Sequence, residues 1–258
     1  MHTLTNAELK KHLDEQVAKH NRPSFIEKDP ISIPHQFKDQ KDIEIMGFFA
    51  AILSWGQRKT IIAKCNELIE RMDNEPYNFV MNHTDEDLKN LVGFKHRTMN
   101  DTDLLYFIDY FKNHYTENKS LESAFIPEGG FTSVENSLIH FEKELFNSEN
   151  APKRSRKHVA SPAKGSACKR MNMFLRWMVR NDHAGVDFGI WNSLAPSQLS
   201  CPLDVHSGNV ARKLKLLKRK QNDGKALSEL DTALRSLDNV DPVKYDFALF
   251  GLGVFEGF

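Results

Sequence analysis

Two residues in this chain carry the side chains of a nucleophile and its electrostatic partner. They are Lys169, in KGSACKRMNMFLRWMVR, and Asp204, in CPLDVHSGNVARKL. A deprotonated lysine offers a lone pair to an electrophilic carbon, and a nearby carboxylate stabilises the positive charge that develops there and helps move protons. Pro202 ends an irregular stretch, and Val205, Val210, Leu214 and Leu217 then recur at helical spacing. Asp204 therefore stands at a helix N-cap, a role that by itself contributes about 1 kcal/mol. Helix N-terminal amides also favour negative charge at that place. Lys169 lies on a second helix, whose Met171, Phe174, Leu175 and Met178 face a core. The plainer alternative for Lys169 is a solvated or phosphate-binding lysine in a basic stretch.

The charge distribution frames these two residues. Thirty-five basic and 35 acidic residues cancel over 258 positions, so bulk charge selects no partner. Residues 101–150 nevertheless hold ten acids against three bases, and residues 151–180 hold nine bases and no acid. A further six bases lie in ARKLKLLKRK at 211–220. Charge sorted in this way can present a basic face to a polyanion; a solvated helix surface with a flexible loop accounts for it equally well.

The elements that must position the pair read as helices almost throughout. Thr3 or Thr5 caps a first helix with Leu9, Leu13 and Val17 on one stripe. Pro30 and Pro34 forbid a regular helix in DPISIPHQF. Asp42 to Leu53 is apolar on nearly every side, as a central buried helix is. Thr60 to Met72 resumes after Trp55-Gly56-Gln57. Further helices are expected at 84–92, 101–115, 131–147, 165–181, 205–217, 224–237 and 242–251, with Asp101, Asp204, Asp223 and Asp241 at cap positions. No strand alternation bounded by hairpin turns is present, so the expected class is all-α. Residues 151–164 have little to bury and read as a mobile basic loop. The expected organisation is a single helical unit, 1–258, in two lobes at about 40–150 and about 160–240, with the chain ends closing the first lobe. Composition is globular, with 40% apolar and 27% charged residues. No apolar run nears the roughly 20 residues of a membrane span, and MHTLTNAELKKHLDEQ is no signal peptide. Three cysteines make neither a disulfide framework nor a metal pattern. The expectation is a reduced, cytoplasmic, monomeric protein with no membrane partner and no metal.

The segment Pro202-Leu203-Asp204-Val205-His206, downstream of Lys169, resembles a motif of the helix–hairpin–helix Gly/Pro–Asp DNA glycosylases. In their 8-oxoguanine and endonuclease III branches a lysine opens one helix and a Pro-x-Asp-x-His segment begins the next. FFAAILSWGQRKTIIAKCNELIERM (48–72) resembles that family's early helix pair, and LVGFKHRTMNDTDLLYFIDYF (91–111) its Gly-aromatic entry to the next helix. The long spacing from lysine to aspartate is nearest to the archaeal 8-oxoguanine glycosylases. As a whole the chain also resembles an uncharacterised bacterial family of this superfamily. The four-cysteine loop of endonuclease III is missing, so no iron–sulfur cluster or other cofactor is expected. The Gly-rich hairpin that holds a DNA phosphate is replaced here by Ser161-Pro162-Ala163-Lys164-Gly165-Ser166, with one glycine.

The resemblance implies a two-lobed helical glycosylase fold and excision of an oxidised purine, such as 8-oxoguanine, from damaged double-stranded DNA, with RNA as a second polyanion to consider. A flipped base would enter a pocket, Lys169 would attack the sugar C1′ and form a Schiff base, and Asp204 would assist. The pocket would draw on Trp55, Gln57, Met173, Asp246 and Phe250, the last two lying four apart on one helix face. Lys164, Gly165, Ser166, Arg170, Arg176, His206 and Arg212 would contact DNA, the arginines as phosphate ligands. Core packing is the plainer role for Trp55, Met173 and Phe250. Two other classes stay open: a non-catalytic DNA- or RNA-binding protein on the same fold, and a helical protein–protein adaptor.

Overall fold

The structure, a computed structural model, describes residues 5–258; the candidate cap Thr3 lies outside them. The fold is all-α. Eleven α-helices are described: α1 Asn6–His20, α2 Gln40–Leu53, α3 Arg58–Arg71, α4 Pro76–Asn82, α5 Asp85–Lys89, α6 Asp101–Glu117, α7 Val134–Leu145, α8 Lys169–Val179, α9 Val205–Lys213, α10 Gly224–Leu237 and α11 Tyr245–Val254. One two-residue hairpin, β1 Lys95–His96 with β2 Met99–Asn100, is antiparallel. Pro30 and Pro34 open short 3-10 turns rather than a helix. No described helix is long and apolar enough to cross a membrane.

The chain divides into two compact units, one of residues 26–160 and one that joins the described residues up to 25 with residues 161–258. The chain ends therefore belong with Lys169 and Asp204, not with residues 40–150 as the sequence suggests. The reason is the apolar face of α1. Leu9 and Leu13 are buried in one cluster with Val210 of α9, Leu230 of α10 and Leu249 and Leu252 of α11. Thr5 caps α1 in a reciprocal box with Glu8. Gly251 lets α11 approach closely, because a Cβ there would collide with the ring of His20.

In the other unit α2 is buried from Ile43 to Leu53. Phe48 and Phe49 meet Phe107 and Phe111 edge-on, a packing that contributes beyond area burial alone. Glu44 is fully buried in the same helix, and its carboxylate accepts from the Tyr115 hydroxyl at 2.8 Å and the Leu121 amide at 2.8 Å.

Two local expectations are corrected here. Residues 151–164 are not a mobile basic loop: Lys153–His158 forms a 3-10 segment bonded to α6 and α7. Ser155, Arg154 and His158 all bond the buried carboxylate of Asp103, and Arg156 pairs with Glu142 while lying over the Phe146 ring. The acids of 101–150 thus draw in the bases that follow them. At α6 the cap is Asn100, in a box with Asp103, while Asp101 accepts from the Gly93 amide at 2.8 Å.

Candidate active site around Lys169 and Asp204

The turn before α8 is built by two left-handed residues. Gly165 (φ 73°) ends the short 3-10 segment Pro162–Lys164, and Cys168 (φ 47°) is the N-cap of α8. Left-handed backbone suits glycine and strains cysteine. The turn is fastened from both sides. The Gly165 carbonyl accepts from the Gly224 amide at 2.8 Å, Ser166 bridges to Asp223, and the Cys168 amide donates to Ser166 Oγ at 3.1 Å. The start of α10 therefore braces the start of α8. Lys169 is the first residue of α8 and half-buried, and among the described residues its ammonium makes no hydrogen bond or ion pair.

Asp204 is the N-cap of α9. Its Oδ1 accepts from the Ser207 amide at 2.9 Å, and Ser207 Oγ accepts from the Asp204 amide at 2.9 Å. The cap uses Oδ1 alone, leaving Oδ2 without a hydrogen bond among the described residues. The Asn222 amide fixes the Asp204 carbonyl at 2.7 Å.

Asp246, in the first turn of α11, connects this pair electrostatically. Its carboxyl is buried and pushed up to about 6; burial is the main cause, Arg176 pulls it back, Asp204 adds to the rise and Lys169 opposes it. Lys169 and Asp204 thus each act on the Asp246 carboxyl. Asp246 is not open to a ligand on all sides, because Arg176 of α8 donates to it directly.

Several candidates fall elsewhere than expected. Arg176 is no phosphate ligand: it is 3% exposed, and its guanidinium donates to Asp187 at 3.2 Å and to Asp246. Arg180, also buried, donates to Asp187 at 3.0 Å and to Asp241 at 2.9 Å. Both guanidinium groups lie over the Phe247 ring, at 4.3 and 5.4 Å. Asp241 is thereby an ion-pair partner; it opens only a 3-10 turn and makes no side-chain cap. Arg212 donates to the Arg219 carbonyl at 2.8 Å and to Asn222, so it braces the loop that holds Asp204. Arg170 is half-buried, Lys164 and Gly165 are exposed, and His206 is exposed on α9. Met173 is buried in α8, and Phe250 is half-buried in an aromatic group with Phe25 and Phe255. Trp55 and Gln57 belong to the other unit, in the exposed loop between α2 and α3.

A family profile matches residues 29–255, nearly nine-tenths of the chain, and carries the description Protein of unknown function (DUF2400). The chain belongs to the DUF2400 family. No curated protein and no solved structure matches it. The DUF2400 match takes in every candidate residue above, while α1 precedes it.

Sequence reasoning missed the supports of this DUF2400 site. Ser207 is legible afterwards as the third residue past an aspartate cap, the capping-box position. Asn222 and Asp187 lie outside the α-helices, and no spacing marks them. Among the described residues no group of three or more His, Cys, Asp or Glu side chains is placed to hold a metal ion.

Proposed function

We propose that the protein is a DNA N-glycosylase with lyase activity, acting on an oxidised purine such as 8-oxoguanine in duplex DNA. The observation that carries this reading is the pair of helix starts at Lys169 and Asp204: an amine that makes no hydrogen bond or ion pair among the described residues and a carboxylate with one oxygen uncommitted, both acting on the buried Asp246 carboxyl. In the proposed reaction Lys169 Nζ gives its lone pair to C1′ of the sugar as the bond to the base breaks. The departing base takes the bonding electrons and a proton. Loss of the second amine proton and ring opening give the Schiff base, from which β-elimination expels the 3′ phosphate. Asp204 Oδ2 stabilises positive charge on the sugar and relays protons, while Oδ1 keeps the helix start in place.

Borohydride trapping on a panel of damaged-base duplexes tests the reading, because only an enzyme that forms a Schiff base becomes covalently joined to the oligonucleotide. Arginine keeps the charge at position 169 but offers no lone pair at neutral pH. Lys169→Arg and Lys169→Gln are expected to abolish base release and the trapped complex, with Lys169→Arg still binding DNA. Excision by Lys169→Arg near the parent level, or binding without trapping by the parent on every lesion, removes the nucleophile and leaves a DNA-binding protein.

A further inference from the structure

The molecule has three tryptophans, and their surroundings differ sharply. Trp177 and Trp191 are at most 1% exposed, whereas Trp55 is 56% exposed. Trp55 sits between α2 and α3 and is held by the hairpin of β1 and β2. His96 Nε2 lies 3.0 Å from the Leu53 carbonyl, and Arg97 Nε donates to the Trp55 carbonyl at 3.3 Å. The Arg97 guanidinium lies so close over Gly56 that any Cβ there would strike it. Arg97 itself is left-handed (φ 56°), at the hairpin position where glycine is the usual occupant. The exposed ring is thus carried on a braced loop.

The two segments that meet at Trp55 carry cations, of which Lys64 and Lys89 are paired with Glu67 and Glu86. Residues 54–66 contain Arg58, Lys59 and Lys64 and no acid, and residues 88–100 contain Lys89, Lys95 and Arg97 and no acid. Lys59, Lys95 and Arg97 are exposed. An exposed indole among cations suits a polyanion that offers free base faces. In an intact duplex those faces are covered by stacking, whereas in a single strand they are accessible.

We infer that Trp55, with Arg97 bonded to its carbonyl and the exposed Lys59 and Lys95 on the same two segments, is a stacking platform for single-stranded DNA on the 26–160 unit. The choice of DNA rests on the reading of Lys169 above; the stacking role does not. Because the other two tryptophans are buried, intrinsic fluorescence reports on this platform directly. Titration with oligo(dT) at low salt should quench the exposed, red-shifted emission, with affinity falling as salt rises. With a fluorescein-labelled oligo(dT) followed by anisotropy, Trp55→Leu should bind about tenfold more weakly or worse, Trp55→Phe should keep most of the affinity, and Arg97→Ala should lose part of it. Unchanged emission from Trp177 and Trp191 checks that each variant is folded. Quenching by oligo(dT) and borohydride trapping are read separately on the parent, which separates failure of the platform from failure of the glycosylase reading. Absence of quenching, parent-level binding by Trp55→Leu, equal affinity for a duplex of the same length, or tighter binding to oligo(U) would each overturn the proposal.

Discussion

Lys169 and Arg176 stand two turns apart on α8, yet they occupy opposite chemical situations. Arg176, with Arg180 just beyond the helix end, is buried, ringed by Asp187, Asp241 and Asp246, and stacked over Phe247. Lys169 is half-buried at the braced start of the helix, with no charge partner within bonding distance among the described residues. One end of the helix has its charges neutralised in the interior; the other keeps a cation uncommitted. A paired charge stabilises structure and is chemically idle. A cation left without a partner contributes little to stability, so its removal should cost little.

Removing a member of the buried group is the strongest way to break the contrast. Arg180→Ala leaves Asp187 and Asp241 without their shared cation and should cost about 3–5 kcal/mol in urea unfolding, the usual consequence of stranding buried charge. Lys169→Gln should stay within about 0.5 kcal/mol of the parent. Equal losses at both positions would erase the distinction.

Asp246 sharpens the same contrast through pH. Its folded-state pKa of about 6 lies above the ordinary carboxylate value of 3.8, so the folded protein holds a proton that the unfolded chain releases. Its contribution is fully present below pH 4 and is lost as pH rises through 6, by about 3 kcal/mol in total. Asp231 is pushed up to about 6 as well, again by burial, and adds a similar slope. Relative to Asp246→Asn, the parent should therefore lose stability between pH 4 and pH 6, as measured by denaturant titration across that range. Parallel curves would mean the Asp246 carboxyl titrates in the ordinary range.

A smaller effect than at Asp246 is expected at Asp204. Asp204→Ala removes the cap and should cost about 1 kcal/mol, whereas Asp204→Asn keeps an acceptor for Ser207 and should cost a few tenths. If Oδ2 takes part in chemistry, Asp204→Asn loses excision despite that mild effect on folding. Full excision by Asp204→Asn would confine the residue to capping.

Much of this arrangement was legible in the sequence where a residue acts through its own neighbours. The Asp204 and Asp223 caps follow from an aspartate standing just before a helical repeat. The Pro30 and Pro34 turns follow from ring geometry. What depended on distant partners was not legible. Arg176 sits in a basic run and looks solvent-facing until Asp187 and Asp246 arrive from elsewhere in the chain. Residues 151–164 hold Val159 as their one large aliphatic side chain, so nothing local shows that Asp103 gathers Ser155, Arg154 and His158. Helix α4 shows no periodic stripe in the sequence although Pro76 stands at its first turn, because seven residues are too few for one. Helix α9 ends at Lys213 rather than 217, since Lys215 turns left-handed (φ 62°). The Asp246–Phe250 spacing was legible as one helix face; the Arg176 guanidinium against Asp246 was not.

The packing of α1 on α11 also bears on how the chain is made. Translation delivers α1 well before α11, with the whole 26–160 unit between them. At ~5–20 residues per second, roughly 220 residues of waiting leaves α1 on the order of ten seconds or more without its docking helix. During that interval Leu9 and Leu13 have no interior to enter, whereas residues 26–160 are already complete. The order of assembly at the ribosome is then inverted relative to the order of synthesis: the middle of the chain matures first, and the earliest residues are among the last to be buried.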